Sequence, residues 1–167
     1  MNRTRICDTG LRWLILSLIT FFLDIISKIL ITQYFTLYQT KNIFPFLNIT
    51  YVRNHGAAFS FLNDAGGWQK WLFSFIAVVI IFVLTYSLYK SKKSFSLSNL
   101  SFSLIIGGAL GNLVDRIYNG FVVDFIHFHW GEFSFAVFNI ADSAICIGAI
   151  LLIFDYLFVK KVVDENK

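Results

Sequence analysis

"FNIADSAICIGAILLIF", Phe138–Phe154, has nearly the length and the apolar content of a membrane-crossing helix, with a carboxylate one turn inside its start. An isolated charge at the bilayer centre costs about 3 kcal/mol, so Asp142 needs a partner, a water-filled cavity or a task. Asp24, Asp115 and Asp124 each lie in or beside an apolar run and raise the same question.

Composition sets the frame. Of 167 residues, 57% are hydrophobic and 14% charged, against about a quarter charged in soluble domains, which points to the membrane. One proline and ten glycines leave no long linker, and neither an internal repeat nor a soluble second domain is visible, so 1–167 reads as one integral membrane domain. Cys7 lies in a basic tail and Cys146 in an apolar run, an arrangement that suits neither a disulfide nor zinc. The net charge of +4 does not indicate nucleic acid, because the basic residues flank apolar runs instead of forming one patch.

Four stretches approach the roughly 20 apolar residues that a spanning helix needs: Leu11–Ile31, Trp71–Tyr89, Leu97–Val114 and Phe138–Val159. The third is the weakest, ending in "GGALGNLVDR". Arg3, Arg5 and Arg12 before an apolar run resemble a signal peptide, but Asp24 and Lys28 interrupt the run and no small-residue cleavage site follows, so it reads as a retained span. Basic residues give the orientation. Nine (Arg3, Arg5, Arg12, Lys90, Lys92, Lys93, Lys160, Lys161, Lys167) fall on one side, against Lys41, Arg53 and Lys70 on the other, with Lys28 and Arg116 at span ends. Both termini are therefore expected in the cytoplasm, and segments 32–70 and 116–137 outside. In those segments "FLNITYVRN", "GFVVDFIHFHW" and "FSFAVFN" have strand character, which predicts a small extracytoplasmic sheet on the membrane surface.

With that orientation the polar residues share one depth. Asp24 and Lys28 near the end of the first span, Asn112 and Asp115 at the end of the third, and Asn139 and Asp142 at the start of the fourth lie within roughly 10 Å of the outer boundary. Asp124 follows the third span by a short turn and can fold back over them. Only Asp155 lies near the inner end, where water or the neighbouring lysines are in reach.

Structural readings cover several of these residues. Asp24 and Lys28, at i,i+4, form an ion pair; Asp115 beside Arg116 anchors a helix end; Asn112 makes an interhelical hydrogen bond; Gly107, Gly108 and Gly111 permit close packing. His55, His127 and His129 read as interfacial residues, not as metal ligands. Asp124 and Asp142 resist such accounts, since neither has a Lys or Arg at i±3 or i±4. No Ser–His–Asp or Cys–His arrangement, phosphate-binding glycine loop or HExxH is present. The economical remaining chemistry is an aspartic dyad, in which two carboxylates share one proton, activate water and polarise an amide carbonyl without a cofactor. The position of Asp142 near the positive end of its helix suits the anionic member. A carrier would need polar groups at the midplane, and an accessory subunit would use its charges to pair with another chain.

Four blocks resemble the lipoprotein signal peptidases (signal peptidase II) of bacteria: "LDIISK" at 23–28, "NHGAAFSFL" at 54–62, "GGALGNLVDRIYNGFVVDFI" at 107–126 and "FNIADS" at 138–143. The resemblance implies an all-α membrane protease of four transmembrane helices with a small periplasmic β-cradle. Such an enzyme cleaves a prolipoprotein before its diacylglyceryl-modified cysteine, at the periplasmic side of the inner membrane. Carried over by motif, the dyad falls on Asp124 and Asp142. Asn54, Asn112, Arg116 and Asn139 match positions that line or shape the substrate site, and Asp24, Lys28, Gly56, Gly108 and Asp115 match supporting ones. Ile25 stands where glutamine is common and Ala136 where proline is frequent. The implied partners are diacylglyceryl-modified prolipoproteins and membrane lipid, and a pocket built within four helices implies that a monomer suffices.

Overall fold

The computed structural model describes residues 8–56 and 66–160. Arg3, Arg5, Cys7, Lys161, Lys167 and the "AAFSFL" part of the second block lie outside the described residues. Four helices carry the chain back and forth: α1 (Leu14–Tyr34, entered through a 3-10 turn at Gly10–Trp13), α2 (Gln69–Lys90), α3 (Leu97–Tyr118) and α4 (Ile140–Phe154, continued by a π-helical stretch Asp155–Lys160). All four are long and apolar enough to cross a bilayer.

The helices are apolar outside and polar or small inside. On α1 the buried positions are Ser17, Thr20, Asp24, Lys28 and Ile31, spaced three or four apart along one stripe. That stripe faces α3, the most enclosed helix, where Gly107 lets the backbones meet: a Cβ there would come within 2.6 Å of the Ser17 carbonyl oxygen. Gly108 makes the same approach to α4, where a Cβ would collide with the carbonyl of Ala141. Without a hydrophobic drive between helices in lipid, such close packing and interhelical hydrogen bonds hold the bundle together.

One end of the bundle is stitched by short polar contacts. The Gly10 amide donates to the Ser91 carbonyl, and Asn99 Nδ2 donates to the carbonyls of Lys92 and Ser94. Asp155 corrects an expectation here. It is buried, not open to water, and among the described residues it accepts from the Ser98 hydroxyl at the start of α3; Lys161 and Lys167 lie outside those residues.

The other end carries a four-stranded antiparallel sheet in the order β1 (Thr40–Phe44), β2 (Leu47–Asn54), β3 (Val122–Trp130), β4 (Phe133–Ser134). Strand β1 was not anticipated, because Thr40–Phe44 is exposed throughout and so lacks burial alternation. His127 lies in β3 with its ring nitrogens against Thr50 Oγ1 and Ser134 Oγ, at 3.2 and 2.7 Å, which makes it part of the sheet. Burial and neighbouring His129 push its pKa down.

Several helix boundaries differ from the hydropathy reading, α1 for instance running three residues past Ile31, and two of the shifts bear on the site. Helix α3 runs a turn past Val114, through Asp115 and Arg116, because both side chains find partners and helical backbone does not require an apolar residue. Helix α4 starts at Ile140, two residues later than expected. Phe138 bridges to Ile126 of β3, and Asn139 takes the N-cap.

Candidate active site

Asn139 organises the region where sheet and bundle meet. Its extended backbone ends the bridge to β3, and its Oδ1 accepts the Asp142 amide at 2.8 Å while Asp142 Oδ2 accepts the Asn139 amide at 3.3 Å. This reciprocal cap satisfies two amides left without partners at the helix start. It also fixes the Asp142 side chain at the mouth of α4. The same asparagine reaches upward: Nδ2 lies 2.7 Å from Asp124 Oδ1 on β3.

Asp124 owes its place to the sheet register. Val52 lies opposite it on β2, and Asn54, two residues on, reaches diagonally to donate to Asp124 Oδ2 at 3.0 Å. Asn112 on α3 donates to Asp142 Oδ1 at 2.7 Å. Four elements that are distant in sequence therefore converge on two carboxylates. Both line one cavity of about 220 Å³, whose walls include Asn54, Phe135, Phe138, Ser143 and Cys146. Burial pushes the Asp124 carboxyl up to about 7, helped by the nearby Asp142 charge and opposed by the hydrogen bonds from Asn54 and Asn139. Among the described residues neither acid forms an ion pair.

Behind the site lies a second polar layer. Lys28 Nζ contacts Asp24 at 2.7 Å, Asp115 at 3.1 Å and Asn112 Oδ1 at 3.0 Å, using all three of its donors. Asp24 also accepts the Ala141 amide, and Asp115 accepts the Val123 amide and Asn119 Nδ2. The Asp24–Lys28 pair is as expected, but the expected Asp115–Arg116 pair is not formed. Consecutive helical residues point about 100° apart, so Asp115 turns to Lys28 while Arg116 turns away. Arg116 donates to the Gly56 carbonyl at 2.9 Å and lies over the Phe73 ring of α2. Gly56 in turn donates its amide to Asn54 Oδ1 at 2.9 Å, and Gly108 is the helix contact described above.

All eleven residues singled out from the sequence thus belong to one hydrogen-bonded or packed assembly around the carboxylates. Phe135, Phe138, Ser143, Cys146 and Phe73 were not singled out. Cys146 is four residues after Asp142, so helical spacing alone puts it on the same face; Phe73 carries no comparable signal. Ala136 lines the small cavity, whereas Ile25 lines a second, larger cavity of about 690 Å³ on the opposite face of the sheet.

Residues 16–158 match the family model described as Signal peptidase (SPase) II. The chain is 54% identical over 161 residues to the lipoprotein signal peptidase of Klebsiella pneumoniae subsp. pneumoniae, covering 96% of this chain and 97% of the relative. It is 52% identical, with the same coverage, to that of Salmonella schwarzengrund. Two solved bacterial membrane enzyme structures are also similar. One has a TM-score of 0.78 at 33% identity, covering 87% of each chain; the other has 0.76 at 33% identity, covering 88% of this chain and 93% of the other.

Proposed function

Since the chain belongs to the signal peptidase II family, we propose that it removes signal peptides from prolipoproteins as an aspartic endopeptidase, with Asp124 and Asp142 as its catalytic pair. The observation that carries this reading is two carboxylates lining one cavity at a helix end, linked through Asn139 and held by neutral amides, with no ion pair among the described residues. Two such groups are poised to hold one proton between them.

Asp142, at the start of α4, is the base. It takes a proton from a water between the two acids as that water adds to the scissile carbonyl carbon. Asp124 gives its proton to the carbonyl oxygen, forming a tetrahedral diol. The C–N bond then breaks: Asp142 passes its proton to the amine nitrogen of the lipid-modified cysteine, and a diol hydroxyl returns a proton to Asp124. The products are a free amine and a signal-peptide carboxyl group. Asn54, Asn112 and Asn139 orient the acids, and Arg116 fixes the Gly56 carbonyl beside Asn54.

Substrate geometry supports the same assignment. A diacylglyceryl-modified cysteine keeps its acyl chains in the outer leaflet while the signal helix spans the bilayer, so the scissile bond lies near the outer boundary. With both termini in the cytoplasm and the sheet on the periplasmic side of the inner membrane, the cavity lies at that depth. The test is cleavage of a diacylglyceryl-modified prolipoprotein by purified protein. Asp124→Asn and Asp142→Asn should each lower kcat by about a thousandfold with the fold retained. Near-normal turnover in either variant would remove the dyad.

A further inference from the structure

The larger cavity lies on the face of the sheet turned away from the carboxylates. Strand β2 supplies Arg53 to this cavity and the next residue, Asn54, to the small one; β3 divides Val123 and Asp124 in the same way. From the geometry we infer that this cavity binds one anionic phospholipid, with Arg53 holding the phosphate and the floor taking the upper acyl chain.

Arg53 is held in place but left short of partners. Its Nε donates to the Tyr51 hydroxyl at 3.2 Å, and its guanidinium lies over the Phe121 ring at 4.6 Å from the centroid. Among the described residues, no acceptor meets its Nη1 or Nη2. Stacking and one hydrogen bond thus orient a planar fork whose four remaining N–H groups suit a phosphate. Lys28, which also lines the cavity, cannot compete for a ligand because its three donors are taken. The Asp115 carboxylate on the floor is likewise occupied by Lys28, Val123 and Asn119. An anion therefore belongs at the Arg53 rim.

The lining is graded along the membrane normal. Ile25 and Ile29 on α1 and Val114 on α3, beside the mutually paired Lys28 and Asp115, form the part nearer the hydrocarbon, and Tyr118 and Phe121 lie at the rim with Arg53. Apolar residues below, interfacial aromatic rings and a cation above match the profile of a glycerophospholipid. A cavity of about 690 Å³ has room for a headgroup and the start of a chain. A lipid on Arg53 would also restrain the strand that carries Asn54, which donates to Asp124. Only this last consequence rests on the proposed catalytic role; the binding site does not.

Native mass spectrometry of the full chain in a neutral detergent tests the site without reference to activity. The probes are phosphatidylglycerol and a diacylglycerol with the same acyl chains. The wild type should retain phosphatidylglycerol about fivefold better, the value of one basic side chain at an anionic surface. Arg53→Gln should bring it down to the diacylglycerol level, and Arg53→Lys should restore part of it. Ile29→Trp, which keeps Arg53 and fills the floor, should lower retention of both lipids and so guards against misfolding of the Arg53 variants. Equal retention of both lipids by the wild type, or unchanged phosphatidylglycerol retention in Arg53→Gln or Ile29→Trp, would overturn the inference.

Discussion

Two pairs of acids lie side by side in this protein, and their surroundings differ in one respect. Asp24 and Asp115 share the ammonium of Lys28, while Asp124 and Asp142 are joined through two donors of Asn139, the side-chain amide to Asp124 and the backbone amide to Asp142. Asn112 joins the two, accepting from Lys28 through its oxygen and donating to Asp142 through its nitrogen. A cation between two carboxylates lets both stay ionised and makes a fixed strut. Neutral amides orient carboxylates without cancelling their charge, and Arg116 acts on both acids through space without forming an ion pair among the described residues. What relieves their repulsion, on our reading, is a proton on Asp124. On our reading the first pair builds the floor of the site and the second performs its chemistry.

Removing the strut should have the largest effect on stability. Lys28→Met leaves Asp24 and Asp115 buried without a counter-charge and should cost about 3–5 kcal/mol, seen as a large drop in thermal unfolding temperature in detergent. Asp24→Asn should cost less, because Lys28 keeps Asp115. Equal losses in the two variants would mean that the layer is not a shared-cation structure.

The proton that replaces the cation has a signature of its own. The folded protein holds the Asp124 proton up to about pH 7 against an ordinary value of 3.8. Between those values the folded state binds more proton than the unfolded chain, so Asp124 makes stability fall as pH rises. The unfolding temperature of Asp124→Asn relative to wild type should accordingly climb from about pH 4 to about pH 7 and level off above it, a span worth a few kcal/mol. A difference that stays flat across this range would contradict the assignment. Cleavage by the wild type should likewise decline above about pH 7, as the protonated form of Asp124 is lost.

The smallest effect separates capping from catalysis. Ser96 caps α3, accepting the Asn99 amide at 3.1 Å, and does nothing else that concerns the site. Ser96→Ala should cost about 1 kcal/mol and leave kcat unchanged. Asn139→Ala should cost at least as much and also lower kcat, because the same side chain holds Asp124. If both variants lose only stability, Asn139 is a cap and no more.

Much of this was legible in the sequence because membrane solvation constrains it so heavily. Hydropathy found four spans, and the shared depth of Asp24, Lys28, Asn112, Asp115, Asn139 and Asp142 placed a polar site at one end of them. What stayed hidden depended on contacts between distant segments. Asp115 was assigned to its neighbour Arg116, although side chains adjacent on a helix diverge and its partner comes from α1. The alternation of "NITYVRN" gave a strand, but the exposed edge Thr40–Phe44 gave none. The place of Asn54 beside Asp124 follows from strand register, which motif resemblance suggested and periodicity could not. The burial of Asp155 against Ser98 was not foreseen, because a serine at a helix start is an ordinary residue.

The central claim is that Asp124 and Asp142 work as one unit. The double variant Asp124→Asn/Asp142→Asn, assayed on diacylglyceryl-modified prolipoprotein beside the two single variants, measures this directly. If the acids share one proton and one water, the double variant should be about as slow as either single one, since removing a second part of a broken unit loses little more. Rate losses that multiply would show two acids acting independently and would contradict the account.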